Sequence, residues 1–381
     1  MRILYCIPSL FNSGGMERVL TLKANYLASE LGYEVHIVTT DQNGQGFFYP
    51  LATSIIHYDL GINYSQDATF KQKLLNLSRR NKIYKARLSE YIKENKIDIC
   101  ISLGSKEVFF LNKLSNLCKV ICEWHFAQNS SLVLAKANYS STLMAKLIGG
   151  IQVRRLIKAT KKLDALVVLT KEDQKVWQRT NKNIVQIYNP SSYEVTELSD
   201  LMNRRFISVG RLEAQKGFEY LIQAWSKVYD KHPDYTLDIF GAGSLRGFLQ
   251  DEIDRRHLAG VVTLKGSTND IQSEYLTSSG FVMTSRFEGF PMVLLEASSF
   301  GLPLVSFDCV SGPKEIIRNG YNGYIVDLFD TDSLADSIIK IISDDELRVQ
   351  MGKKAVEVVS EFSIKNIMHQ WDTLFKRVVS K

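Results

Sequence analysis

Glu288 and Glu296 flank a loop-to-helix junction in the run Ser285-Arg286-Phe287-Glu288-Gly289-Phe290-Pro291-Met292-Val293-Leu294-Leu295-Glu296-Ala297. Pro291 suits a first helical turn, which leaves Glu288 in the loop and Glu296 inside the helix. Gly289 permits the turn. The N–H groups around Phe290, Pro291, Met292 and Val293, at the helix start, then form an anion site framed by two carboxylates. A carboxylate between Leu295 and Ala297 is costly to bury without a partner. A ligand offering hydroxyls is one such partner, and a salt bridge to a neighbouring strand is the other.

Two cations share a second loop. Arg211 closes the strand-like run Ile207-Ser208-Val209-Gly210, and Lys216 follows just before Gly217 and a helical pattern. An arginine fork and a lysine point charge at strand carboxyl ends suit a diphosphate, although two solvated surface cations would read the same way. Gly14-Gly15, between the first strand and first helix, would let backbone amides approach an anion, or simply form a turn. Gly241, in Phe240-Gly241-Ala242-Gly243-Ser244-Leu245-Arg246-Gly247, tempts a dinucleotide reading. The next strand, however, ends in Leu264-Lys265 rather than an acid, so no nicotinamide or flavin cofactor is expected and a tight turn near a nucleotide remains. His125 ends the run Val120-Ile121-Cys122-Glu123-Trp124 and would point toward a cleft, or be a satisfied structural histidine. With no His-Glu-x-x-His, no paired histidines at ligand spacing and no aspartate cluster, no protein-bound metal and no other cofactor are expected.

Positioning these residues requires alternating strands and helices. Arg2–Ile7, Glu34–Thr40, Asp98–Gly104, Lys119–His125, Ala165–Thr170 and Ile184–Tyr188 are expected strands. The alternation restarts with 206–210, 235–241, 261–266, 281–285, 304–307 and 324–326. Leu20, Ala24, Leu27 and Leu31 mark the first crossover helix, stopped by Gly32. The fold class is therefore α/β, with two Rossmann-like, doubly wound domains facing across a cleft and ligands near strand carboxyl ends. The expected division is 1–189 for an acceptor-side domain, 190–203 for a linker at Asn189-Pro190, and 204–362 for a nucleotide-binding domain. Residues 363–381 form a last helix free to pack on either domain, including by crossing back to the first.

Composition agrees with two domains: 381 residues, 45% hydrophobic and 23% charged, of mean hydropathy −0.09. No apolar run is long enough to span a bilayer. The first apolar segment reads as a strand rather than a signal core, and the five scattered cysteines suit reduced thiols in a cytoplasm. The net charge of +6 is uneven: residues 65–165 hold 19 Lys and Arg against 7 Asp and Glu, a local +12, so the remainder carries −6. Part of that excess lies in Thr142–Leu163, where Lys146, Arg154, Arg155, Lys158, Lys161 and Lys162 interleave with an apolar stripe. That pattern fits a helix resting on the anionic inner face of the cell membrane, or an ordinary solvated helix, which Gly149-Gly150 could divide in two. No recognised nucleic-acid motif accompanies the charge, so no nucleic-acid partner is expected.

Together these residues resemble glycosyltransferase family 4, the retaining enzymes of the GT-B fold, over nearly the whole chain and most strongly in its second half. Glu288 and Glu296 match the family's paired-glutamate element, Gly210-Arg211 and Lys216-Gly217 its basic loop, and Gly14-Gly15 with Glu17 its amino-terminal glycine loop. His125 matches its strand-end histidine. Gly312-Pro313-Lys314-Glu315 resembles a variant of bacterial surface-polysaccharide enzymes, with Ser311 where many members have a second glycine. The resemblance implies transfer of a sugar, with retention, from a nucleotide-diphosphate donor, UDP- or GDP-linked, to a glycan or polyprenyl-linked acceptor. It implies that Arg211 and Lys216 stabilise the leaving diphosphate, Glu288 holds sugar hydroxyls, Glu296 holds the ribose, and His125 contacts the donor sugar. No residue stands out as a covalent nucleophile, which leaves front-face attack. A sugar-nucleotide epimerase of the same fold and a non-catalytic nucleotide-sugar-binding subunit are the rival readings.

Overall fold

The computed structural model describes residues 1–64, 70–125 and 142–380, with side chains described from 76 and from 149 in the helices that follow the two intervals. It divides into two compact units, Met1–Pro190 with Ile364–Lys381, and Ser191–Ser363.

The first unit is built on seven parallel strands: β1 Arg2–Ile7, β2 Glu34–Thr39, β3 Ile56–Asp59, β4 Ile99–Ser102, β5 Lys119–Trp124, β6 Ala165–Val168 and β7 Ile184–Gln186. Their order is β3-β2-β1-β4-β5-β6-β7. Parallel strands are covered on both faces and so read as continuous apolar runs, which is why β1 was evident in the sequence. Its Ile3, Tyr5 and Ile7 pack with the first helix, Gly15–Ser29, and with Ile367, Trp371 and Phe375 of the last helix, Ile364–Val379. Leu4 and Cys6 pack on the opposite face, with Tyr84 and Leu88 of helix Phe70–Glu94. β3 was not expected. It is an edge strand whose residues are exposed or half-buried in alternation, so no apolar run announces it.

The second unit has six parallel strands: β8 Arg205–Val209, β9 Thr236–Phe240, β10 Val262–Gly266, β11 Gly280–Met283, β12 Leu304–Phe307 and β13 Gly323–Val326. Their order is β10-β9-β8-β11-β12-β13. Of residues 190–203, expected as a linker, those from Ser191 onward belong to this unit. The Ser191 amide donates to the Phe362 carbonyl at 2.8 Å, that of Ser199 to Phe300 at 3.0 Å, and buried Arg348 donates through Nε to the Leu201 carbonyl at 3.1 Å.

In each sheet the chain winds outward in both directions from one strand pair. The pairs are β1 and β4 in the first unit and β8 and β11 in the second. Loops leaving the carboxyl ends of such a pair diverge to opposite faces and open a crevice, which is where α/β sheets bind ligands. All five cysteines are free and buried. Helix Thr142–Thr160 runs unbroken through Gly149-Gly150. Arg154, Arg155 and Lys158 on it, and Lys161 and Lys162 beyond it, are exposed; the side chains of 143–148, which supply most of the expected apolar stripe and Lys146, lie outside the described residues. Among the described residues, no helix is long and apolar enough to cross a membrane.

Candidate active site

The loops after β8 and β11 carry the two cations and Glu288, at the switch point of the second unit. Lys216 Nζ donates to Glu288 Oε1 at 2.7 Å, and both side chains are largely buried. Two glycines make this reach possible. The lysine stem lies over Gly210, where an added Cβ would sit 3.1–3.2 Å from its methylene carbons. Gly217 has φ +60, and a Cβ there would meet the Thr284 carbonyl oxygen at 2.4 Å. Short side-chain and backbone contacts then lock loop to loop. Gln215 Nε2 donates to the Phe287 carbonyl at 3.0 Å, and the Gln215 carbonyl accepts from the Arg286 amide at 2.8 Å. Thr284 Oγ1 donates to the Lys216 carbonyl at 3.1 Å.

Arg211 stays at the exposed rim of this site, donating to Gln215 Oε1 at 3.2 Å. The structure therefore brings Arg211, Lys216 and Glu288 onto one clamped pair of loops. Buried Cys309 lies close by, its thiol pushed up by burial and by the Glu288 carboxylate. Helix Met292–Ser299 begins one residue later than the sequence suggested, with Pro291 as its N-cap residue. The amides of Met292 and Val293 thus open the helix, where no intrahelical acceptor is in reach. Phe290 is buried against Phe362, with ring centroids 5.9 Å apart. Gly289 offers its carbonyl to Ser311 Oγ at 3.3 Å. Glu296 is buried inside the helix and accepts from the hydroxyl of buried Tyr275 at 3.2 Å, so a neighbouring tyrosine is one of its partners.

Gly241 and Gly243 serve packing. Cβ atoms there would fall 1.9 Å from the Gly210 carbonyl oxygen and 2.4 Å from that of Leu212, so these glycines let the loop after β9 lie against the basic loop. Glu213 ties the same two loops by accepting from the amide and hydroxyl of Ser244, at 2.9 and 2.8 Å, which holds its carboxyl below the usual range. Sequence reasoning missed Gln215 and Glu213, ordinary polar residues whose roles depend on loops distant in the chain.

In the first unit, Gly14 caps the first helix in an extended conformation and Gly15 begins it. Their amides were expected to face a donor anion. The Glu17 carboxylate folds back over Gly14, where a Cβ would come 2.2 Å from Glu17 Oε2, and its burial raises the Glu17 carboxyl. His125 follows β5 with only 7% of its side chain exposed, and its Nε2 lies 3.4 Å from Glu123 Oε1. Glu123 is ion-paired with Lys23, and both are almost wholly buried. Neither Lys23 nor Glu123 was singled out from the sequence. The available signals were a lysine within the apolar stripe of the first helix and a carboxylate inside a central strand. Among the described residues, no group of three or more His, Cys, Asp or Glu could hold a metal ion.

Residues 194–358, most of the second unit, match the family model described as glycosyl transferases group 1. The chain is 28% identical to an uncharacterised glycosyltransferase of Haemophilus influenzae, covering 97% of this chain and 98% of that protein. It is 27% identical to the amylovoran biosynthesis glycosyltransferase AmsD of Erwinia amylovora, covering 98% and 99%. The pneumococcal O-GlcNAc transferase GtfA, solved with UDP and GlcNAc, superposes with a TM-score of 0.77 at 16% identity, over 100% of this chain and 99% of that one. The fold is GT-B, two Rossmann-like α/β domains.

The packing around Gly217 separates two costs. Gly260 also has positive φ but open space around its Cα. Gly260→Ala is expected to cost about 1 kcal/mol from backbone conformation alone. Gly217→Ala is expected to cost about 3 kcal/mol, because the added methyl also strikes the Thr284 carbonyl. Urea denaturation measures both, and equal losses would contradict the loop clamp.

Proposed function

We propose that this chain is a retaining glycosyltransferase. It moves a sugar from a UDP- or GDP-linked donor to a hydroxyl of a glycan or polyprenyl-linked saccharide, in the synthesis of a cell-surface polysaccharide. The observation that carries this reading is the Lys216–Glu288 pair beside Arg211 at the second switch point. An ammonium has three donors. One is spent on Glu288, which leaves two for phosphate oxygens, while the Arg211 fork at the rim covers more of the same anion. The group 1 model over the second unit, and full-length likeness to glycosyltransferases, support the same reaction class.

In the proposed reaction the bond from the anomeric carbon to the β-phosphate oxygen breaks, and its electron pair leaves on the diphosphate. Arg211 and Lys216 stabilise that growing charge, an electrostatic term that is commonly the largest in catalysis. The acceptor oxygen attacks from the same face, and its proton passes to the departing phosphate oxygen, so configuration is retained without a covalent enzyme intermediate or a metal. Glu288 holds sugar hydroxyls through lone pairs left over from Lys216. Glu296 takes the ribose hydroxyls, and the amides opening helix Met292–Ser299 add donors to the phosphates. His125 is the proposed contact to the donor sugar. Gly14 and Gly15 are proposed to offer backbone amides to the donor phosphates, as glycines at a helix start allow.

Lys216→Ala, Arg211→Ala and Glu288→Ala are each expected to lower kcat/KM for transfer by about 10²–10³-fold. Far-ultraviolet circular dichroism should show the fold retained. Turnover equal to the parent in all three variants would remove the proposed site. The exposed Arg154, Arg155, Lys158, Lys161 and Lys162 further support peripheral contact with an anionic membrane. Sedimentation with phosphatidylglycerol vesicles at low salt should carry the protein down and release it as salt rises. Equal sedimentation with neutral vesicles would refute the electrostatic contact.

A further inference from the structure

Two ions buried in the first unit have no part in the proposed donor site. Lys23 is 0% exposed and Glu123 1%. Taking such a pair out of water costs several kcal/mol per ion, and well-packed apolar residues often serve stability as well or better. Their surroundings come from four elements. Lys23 rises from the first helix, with Nζ 5.7 Å from the ring centre of Tyr5 on β1 and 4.4 Å from that of Trp371 on the last helix. Glu123 on β5 gives Oε2 to Lys23. Its other oxygen, Oε1, is buried without a hydrogen-bond partner among the described residues, and so is His125 Nε2, 3.4 Å away. The Tyr5 hydroxyl is the further buried polar group of this cluster without such a partner.

We propose that the Lys23–Glu123 pair is a positioning device for His125. Glu123 Oε1 faces a protonated Nε2, so the neutral imidazole presents Nδ1 as a hydrogen-bond acceptor to a sugar hydroxyl. A neutral imidazole has one N–H donor and one acceptor nitrogen, and the group opposite one nitrogen decides which is which. Lys23 cancels the charge of Glu123, so the histidine meets an acceptor without a net buried anion that would draw a second proton. Burial lowers the proton affinity of His125 in the same direction. The Trp371 ring closes the cluster over Lys23, so the last helix supports the same device. The role in turnover rests on the proposed glycosyl transfer; the tautomer does not.

Two double variants separate positioning from packing. Lys23→Met with Glu123→Gln removes both charges but keeps an acceptor opposite Nε2. Lys23→Met with Glu123→Leu removes both charges and the acceptor, and neither leaves an unpaired buried ion. Nitrogen-15 NMR of the six histidines, with His125 assigned by its absence in His125→Ala, reads the tautomer directly. The expected result is a neutral ring protonated at Nε2 in the parent and in the glutamine variant, and a mixture of tautomers in the leucine variant. In transfer assays the glutamine variant should stay near the parent rate, and the leucine variant should lose kcat by about tenfold with little change in donor KM. Adding His125→Ala to the leucine variant should cost no more than His125→Ala alone. An Nδ1-protonated ring in the parent, or an unchanged tautomer in the leucine variant, overturns the proposal. So does full activity in a folded leucine variant or in His125→Ala. Absence of any transfer by the parent would instead defeat the glycosyltransferase reading, with the NMR result still deciding the tautomer.

Discussion

The ion pair between Lys216 and Glu288 joins the loops after β8 and β11, and the candidate site of the second unit depends on that join. The two residues lie 72 positions apart in the chain, and the loops leave the strand pair from which the sheet winds in both directions. A partly buried pair is held less by its own attraction than by the cost of separating it, because either ion alone would be left poorly solvated. Gly210 and Gly217 remove the side chains that would keep the loops apart, and Gln215 and Thr284 bond across the seam. A leaving diphosphate would thus meet cations already oriented, with little reorganisation required as charge develops.

Electrostatics are arranged differently in the two units. At the second switch point Arg211 remains exposed and Lys216 reaches the site from a nearly buried stem, so positive charge is available to a ligand. In the first unit the comparable ends of β1 and β5 carry carboxylates. Glu17 covers the start of the first helix, and Glu123, neutralised by Lys23, faces His125.

Much of this was legible in the chain itself. Both sheets announced themselves because parallel strands buried on two faces are continuous apolar runs, and Glu288, Arg211 and Lys216 stood out as charges at strand-to-helix turns. β3 was hidden by its edge position, where exposed residues break the run. The tasks of Gly241 and Gly243 were hidden for another reason: a glycine that admits a phosphate and one that admits a neighbouring carbonyl have the same sequence signature. Lys23 and Glu123 were visible as charges inside apolar patterns, but their pairing spans 100 positions and appears only once the first helix packs on the sheet. The last helix was expected from the sequence without a fixed partner, and its place beside β1 became evident only from the residues it buries.

The central claim is that Lys216, held by Glu288, binds the diphosphate of the donor. Calorimetric titration of the parent and Lys216→Ala proteins with nucleoside di- and monophosphates of uridine and guanosine tests it most directly. The parent should bind one of the diphosphates at least tenfold more tightly than its monophosphate, a difference of about 1.4 kcal/mol, and Lys216→Ala should erase most of that preference while leaving monophosphate affinity nearly unchanged. Equal affinity for di- and monophosphates in the parent, or a preference that survives the loss of Lys216, would contradict it.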